Sequence, residues 1–244
     1  MSRPAHSSWL ASTLGRQLLA AEAELLRGLL DDVFGLELLQ LGTWGLSREL
    51  LSSSRTRRQT VIGPARGECS GAEVDVVAEL EALPVQSATV DAVLLPHTLE
   101  FAADPHAIVR EADRVLHGEG QLIVMGFRPF SLWGLRAAAS REGYPPGLNQ
   151  MIGMRRVCDW LGLLGYEVVL SRSYLYSRPW AHDRATSRRI LRRGLFNPLP
   201  AAAWLLRARK HVYRMTPLRH RFFQRERRPV FGTALPEPTR RHTS

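Results

Sequence analysis

The pattern of apolar and polar positions is most regular between Val90 and Phe127. Val90–Leu95 is a short run of Val and Leu broken only by Asp91 and Ala92, which suits a strand buried on both faces. Pro96 closes it. Asp104 followed by Pro105 predicts a helix start, because the Asp side chain can accept from the first free backbone N–H groups and proline gives up a donor that had no partner there. Ile108, Ala112, Val115 and Leu116 then recur at helical spacing, with Arg110, Glu111, Asp113 and Arg114 on the polar side. Gly118 is the expected stop. Gln121–Phe127 is a second apolar strand, so the segment reads as a strand, helix, strand unit with parallel strands and a right-handed crossover.

The same reading extends outward. Trp9–Phe34 is an amphipathic helical stretch, with Leu14, Leu18, Leu25, Leu26, Leu29 and Val33 apolar, and Gly35 as its terminator. Leu36–Leu41 predicts a strand that enters a turn made of Gly42, Thr43, Trp44 and Gly45. Thr60–Ile62 and Val74–Val77 predict two further short strands, the second running into Glu79 and the turn at Pro84. Arg155–Leu164 predicts a helix and Tyr166–Leu170 a strand. Ala201–Tyr213 admits either form, and its alanines and arginines favour helix by propensity. Beyond Thr216 periodicity is lost in a segment rich in Pro and Arg, expected to be a mobile tail. The expected organisation is a helical segment at 1–35, an α/β domain at 36–215 and a basic, disordered tail at 216–244. Strands alternating with helices predict an open α/β sheet with ligands at the carboxyl ends of its strands, near the point where strand order reverses. The turns after Leu41, Ala78, Leu95 and Gly126 are therefore the places to look.

Charge divides the chain. Of its formal net charge of +10, residues 1–177 carry −4, from 16 Arg and 20 Asp plus Glu. Residues 178–244 carry +14, from 17 Arg plus Lys and 3 acids. Two readings of that arginine-rich end stand side by side: compositional drift in a G+C-rich genome, or a surface for RNA, DNA or another anionic partner. No stretch approaches the roughly 18 uninterrupted apolar residues of a membrane span, and the N-terminus has no secretory pattern, so a cytoplasmic protein is expected. Cys69 and Cys158 lie far apart without CxxC or histidine pairing, which argues against a metal site.

Absent motifs narrow the chemistry. Lys210 is the only lysine, which disfavours Schiff-base chemistry, a phosphate-loop lysine and a Tyr-x-x-x-Lys dehydrogenase pair. The turn after Leu41 lacks G-x-G-x-x-G, so a nicotinamide cofactor is not expected. After the strand ending near Leu95 the chain reads LPHT rather than an Asp/Asn-Pro-Pro-aromatic signature, and Tyr144-Pro145-Pro146 lies elsewhere. Neither cysteine has a Pro-Cys context. His97, with Glu100 one helical turn on, is a candidate general base, against the alternative of a packing histidine. His106 and His117 read as surface or capping residues, and Arg155 and Arg156 as a solvated helix face or an acidic-substrate contact.

Three blocks in order, LELLQLGTWG, AELEALPVQSATVDAVLL and READRVLHGEGQLIVMGF, carry a family resemblance. The chain resembles class I S-adenosylmethionine-dependent methyltransferases of the type 11 methyltransferase-domain group, and within it a small proteobacterial subgroup. The similarity continues through GFRPFSLWGLR and RRVCDWLGLLGYEV, over about two thirds of the chain. It implies a Rossmann-like three-layer α/β sandwich with a mostly parallel seven-stranded sheet and an antiparallel last strand, here preceded by the N-terminal amphipathic helix. That topology favours a strand within Ala201–Tyr213.

The resemblance also implies S-adenosyl-L-methionine as cofactor and a methyl acceptor as partner. Gln40, Gly42, Thr43, Trp44 and Gly45 would lie at its methionine end, Glu79 and Leu80 at its adenine end, and Pro96 and His97 between cofactor and acceptor. The first block departs from the family: Gln40 stands where an acid is usual, and Trp44 stands where a glycine is. An amide hydrogen-bonds but cannot pair with an ammonium group as a carboxylate does. For the ribose hydroxyls the segment after Ile62 offers only Glu68. These departures motivate a second reading, a catalytically inactive methyltransferase-like module that binds nucleic acid or a protein partner through the arginine-rich C-terminal region.

Overall fold

The computed structural model describes residues 5–45, 47–65, 73–141, 143–176, 179 and 200–211. Two helices open the chain, α1 (Ala5–Leu10) and α2 (Thr13–Leu30), followed by β1 (Glu37–Leu41), α3 (Ser47–Leu51), β2 (Arg58–Pro64) and β3 (Val76–Ala78). Then come β4 (Val90–Pro96), α4 (Thr98–Phe101), α5 (Pro105–Val115), β5 (Leu116–Phe127), α6 (Leu132–Ala139), α7 (Met154–Leu163), β6 (Tyr166–Tyr174) and β7 (Ala203–Lys210). The strands form one seven-stranded sheet in the order β3-β2-β1-β4-β5-β7-β6. Its first five strands pair in parallel, whereas β7 runs antiparallel to both β5 and β6.

Alternation along the central strands builds a separate apolar core on each face. Leu38 of β1, Ala92 and Leu94 of β4, and Ile123, Met125 and Phe127 of β5 pack with α1, α2 and α6. Their neighbours Leu39, Leu41, Val93, Leu95, Leu122 and Val124 pack with α5 and α7 on the other face. This is why the two strands read as unbroken apolar runs: both faces are covered. The one acid within β4 is also explained. The Asp91 carboxylate accepts from the backbone N–H groups of Leu36 and Glu37 at 2.7 and 2.9 Å and meets His117 at 3.0 Å. Burial pushes its pKa up, but those donors outweigh burial and hold it below the usual value. Gly35 sits against this carboxylate, where a Cβ would come within 2.4 Å of Asp91 Cγ.

The Asp104-Pro105 start of α5 is as the sequence predicts, with Asp104 Oδ1 accepting from the Ala107 N–H at 3.1 Å. Replacing Asp104 by alanine is expected to cost about 1 kcal/mol, read as a lower urea midpoint with an unchanged slope.

Three expectations need correction. The stretch Trp9–Phe34 is two helices, because Ser12 accepts from the Gly15 N–H and starts α2 afresh. That helix ends at Leu30, well before Gly35. Gly118 does not stop α5, which ends at Val115 and passes straight into β5, and the positive φ falls on Glu119 at +89°. The strand that the family topology favours within Ala201–Tyr213 is present as Ala203–Lys210, despite its helix-favouring composition. Hydrogen bonding to β5 on one side and β6 on the other overrides propensity there. The expected tail and most of the arginine-rich end, at 178 and 180–199 and at 212–244, lie outside the described residues, as do Glu68 and Cys69. Among the described residues no helix is long and apolar enough to cross a membrane.

Candidate active site

Sheet order reverses between β1 and β4, the neighbours from which the chain proceeds in opposite directions, and such a point leaves a crevice beyond the carboxyl ends of the strands. A cavity of about 570 Å³ lies there. Gly42, Thr43 and Trp44 line it from the turn after β1, Pro64 and Ala65 from the end of β2, and Glu79, Leu80 and Glu81 from the turn after β3. Pro96, Thr98, Phe101 and Asn149 line its β4 side, and His6 reaches in from α1.

The β1 turn is shaped by backbone geometry. Gly42 has φ +90°, and its N–H donates to the Ile62 carbonyl at 2.8 Å. A Cβ on Gly42 would lie 2.8 Å from Thr98 Oγ1, the hydroxyl that donates to the Leu41 carbonyl and so ties the end of β1 to the start of α4. Glycine is required on both counts. Gln40 lies beneath this turn, fully buried and off the cavity wall. Its Nε2 donates to the Gly42 carbonyl at 3.1 Å, while its Oε1 has no hydrogen-bond partner among the described residues. The amide that replaces the family's acid thus braces the turn from inside.

Trp44 is a fixed part of the wall. Its indole N–H donates to Glu22 Oε2 at 2.7 Å, its ring lies 4.4 Å from that of His97, and it is only 2% exposed. Behind it a polar cluster is sealed from solvent. His97 Nε2 meets Glu22 Oε1 at 2.9 Å, His97 Nδ1 meets Glu100 Oε2 at 3.0 Å, and the Tyr174 hydroxyl donates to Glu22 Oε1 at 2.9 Å. The Phe127 backbone N–H donates to Glu100 Oε1. Burial alone would lower the His97 pKa, but the Glu22 carboxylate, helped by hydrogen bonds to both acids, raises it to about 9. Burial raises Glu100, partly offset by His97. Burial and Glu22 drive Tyr174 well above its usual value. The cluster is therefore an imidazolium clasped by carboxylates, which joins α2, the β1 turn, the end of β4, the end of β5 and β6.

Of the residues singled out from sequence, Gly42, Thr43, Trp44, Glu79, Leu80 and Pro96 line the cavity, whereas Gln40, Gly45 and His97 do not. Both ring nitrogens of His97 are engaged by acids and the side chain is fully buried, so it has no access to a ligand. His106 packs on Trp160 with ring centroids 3.7 Å apart, and Arg156 lies over the same indole at 5.3 Å. Glu22, which the sequence puts with Arg16, Glu24 and Arg27 on the polar side of Trp9–Phe34, is fully buried, and Tyr174 and His6 belong to no motif in the sequence. For His6 a local signal existed, since His6 and Trp9 share a face at three-residue spacing.

Among the described residues the cavity is lined by two acids, Glu79 and Glu81, and by no arginine or lysine. Burial lowers the His6 pKa more than its hydrogen bond to the Thr43 backbone raises it. The charge of the wall thus suits a cationic, hydroxyl-bearing ligand.

Comparison with known proteins agrees with this layout. The family model described as a methyltransferase domain, type 11, matches residues 46–124. Over 149 residues the chain is 37% identical to an uncharacterized Escherichia coli (strain K12) protein, YafS, covering 61% of this chain and 59% of that protein. The chain spans about three fifths of the length of the curated relatives it matches. Among solved structures, an S-adenosylmethionine-dependent methyltransferase from Thermotoga maritima superposes with a TM-score of 0.59 at 19% identity, covering 78% of this chain and 88% of that one. A geranyl diphosphate methyltransferase in complex with S-adenosylmethionine gives 0.54 at 16% identity, covering 80% and 86%. The fold is that of the class I S-adenosylmethionine-dependent methyltransferases. Within that fold, residues 46–124 are similar to the type 11 methyltransferase domain.

Proposed function

We propose that this protein is a cytoplasmic S-adenosylmethionine-dependent methyltransferase acting on an unidentified acceptor. The observation that carries the reading is the cavity at the β1/β4 reversal, walled by a glycine turn on one side and carboxylates on the other. S-adenosylmethionine fits that donor set: it is a nucleoside with ribose hydroxyls for a carboxylate to accept from, and it carries positive charge that the wall does not oppose. In this reading Gly42, Thr43 and Trp44 hold the methionine end, Glu79 and Leu80 hold the nucleoside, and Pro96 lies between. When bound, the cofactor supplies an electrophilic methyl carbon. The chain's own contribution is alignment and exclusion of water. Trp44, Phe101 and Pro96 present apolar surface at the β1/β4 end, and holding nucleophile and methyl in line accounts for much of the rate in such transfers.

Gly42→Val tests the placement. S-adenosylhomocysteine at about a hundred times its Kd should raise the melting midpoint of the unmodified protein by roughly 5 °C or more. The valine branches would crowd Thr98 and the turn, so the ligand-induced rise in the variant should fall to near zero. An equal rise in both proteins would place the ligand elsewhere.

A further inference from the structure

His97, the candidate base in the sequence, is sealed behind Trp44, yet another imidazole reaches the cavity. We infer that His6, carried in by α1, faces the reacting end of the bound ligand and takes the proton from an acceptor that is methylated on an O–H or N–H group. This rests on the methyltransferase reading of the cavity.

Position is the first support. The His6 ring lies 5.0 Å from that of Phe101, beyond β4, and 6.3 Å from that of Trp44, beyond β1. It is therefore at the β1/β4 end of the cavity. Glu79 and Glu81 follow β3, which is separated from β4 by β2 and β1, a span of about 14 Å at ordinary strand spacing. With the nucleoside toward β3, His6 stands at the opposite end of the cavity, which it shares with Phe101 and Asn149.

Tautomer is the second. A neutral imidazole that gives its N–H to the Thr43 backbone keeps a lone pair on its other nitrogen. Burial favours the neutral ring, as a base requires. Among the described residues, the ionisable groups around it are Glu79 and Glu81 across the cavity and, behind Trp44, the Glu22, His97 and Glu100 cluster.

In the balanced step, a lone pair on the acceptor oxygen or nitrogen forms the new bond to the methyl carbon. The bond from that carbon to sulfur breaks with its electron pair left on sulfur, and the acceptor's proton passes to the free nitrogen of His6. Solvent then takes it from the ring. A nucleophile with no proton to lose would have no use for this group.

The test needs no acceptor. S-adenosylmethionine and S-adenosylhomocysteine differ by a methyl group and one positive charge on sulfur, and a cation close to an imidazole disfavours the imidazolium. The His6 pKa can be followed by NMR of the ring resonances in the two complexes, with His6→Gln used to assign the signal and calorimetry on the same samples to establish occupancy. We expect His6 to titrate about one pH unit lower with S-adenosylmethionine than with S-adenosylhomocysteine. Equal values with both ligands bound would overturn the role of His6 while leaving the cavity assignment intact. Absence of binding by either ligand would overturn the methyltransferase reading, and this inference with it.

Discussion

Replacing Glu22 by alanine is expected to destabilise the protein by about 3–5 kcal/mol, a large part of the roughly 5–15 kcal/mol that holds a typical domain folded. Glu22 accepts from three side chains, the Trp44 indole, the His97 ring and the Tyr174 hydroxyl, and all of them are buried. Removing the carboxylate leaves an imidazolium facing Glu100 alone and strands two neutral donors in a site that no solvent reaches. Each stranded donor carries its own desolvation penalty of about 1–3 kcal/mol. The Glu22→Gln variant keeps the volume and one acceptor oxygen, so it should lose less than the alanine variant. Urea denaturation of the three proteins measures the order directly. A loss below about 1 kcal/mol for Glu22→Ala would mean that the cluster is not the buried junction described here. The same substitution frees Trp44, so its fluorescence should shift towards that of a solvated indole.

The second large effect is a dependence of stability on pH. His97 is raised from an ordinary value of 6.5 to about 9 in the folded protein, so between those two values the folded state binds a proton that the unfolded chain has released. Stability from this residue is complete below pH 6.5 and falls as pH rises towards 9. The loss across that window is on the order of 3 kcal/mol. Glu100, also raised, acts in the same direction. Unfolding free energies at pH 6, 7, 8 and 9 should therefore decline steadily, and His97→Gln should flatten the decline whatever its own cost. Parallel pH profiles for the two proteins would show that His97 is not held as an imidazolium.

Why these residues escape a reading of the sequence is a matter of distance along the chain. The strand, helix, strand unit from Val90 to Phe127 is legible because each boundary is declared by its own neighbours, as Asp104-Pro105 declares α5. Glu22 meets His97 across 75 positions and Tyr174 across 152, and no local pattern encodes such a meeting. His97 did attract notice, with Glu100 beside it, but the sequence could not tell a residue that opens on a cavity from one sealed behind Trp44. The Trp44 substitution looks damaging in a glycine-rich turn. Its reason becomes visible only when α2 places Glu22 beneath the indole. Composition misled at β7 for the opposite reason: Ala and Arg favour helix locally, yet two neighbouring strands decide the outcome. His6 stayed hidden because α1 is a separate six-residue helix rather than the lead-in to a longer one.

The central claim, that the cavity at the β1/β4 reversal is an S-adenosylmethionine site in spite of Gln40 and Trp44, is tested most directly by calorimetric titration of the protein with S-adenosylmethionine and with S-adenosylhomocysteine. The account predicts saturable binding of both ligands at one site per chain with Kd below a millimolar. The absence of saturable binding at millimolar ligand would contradict it.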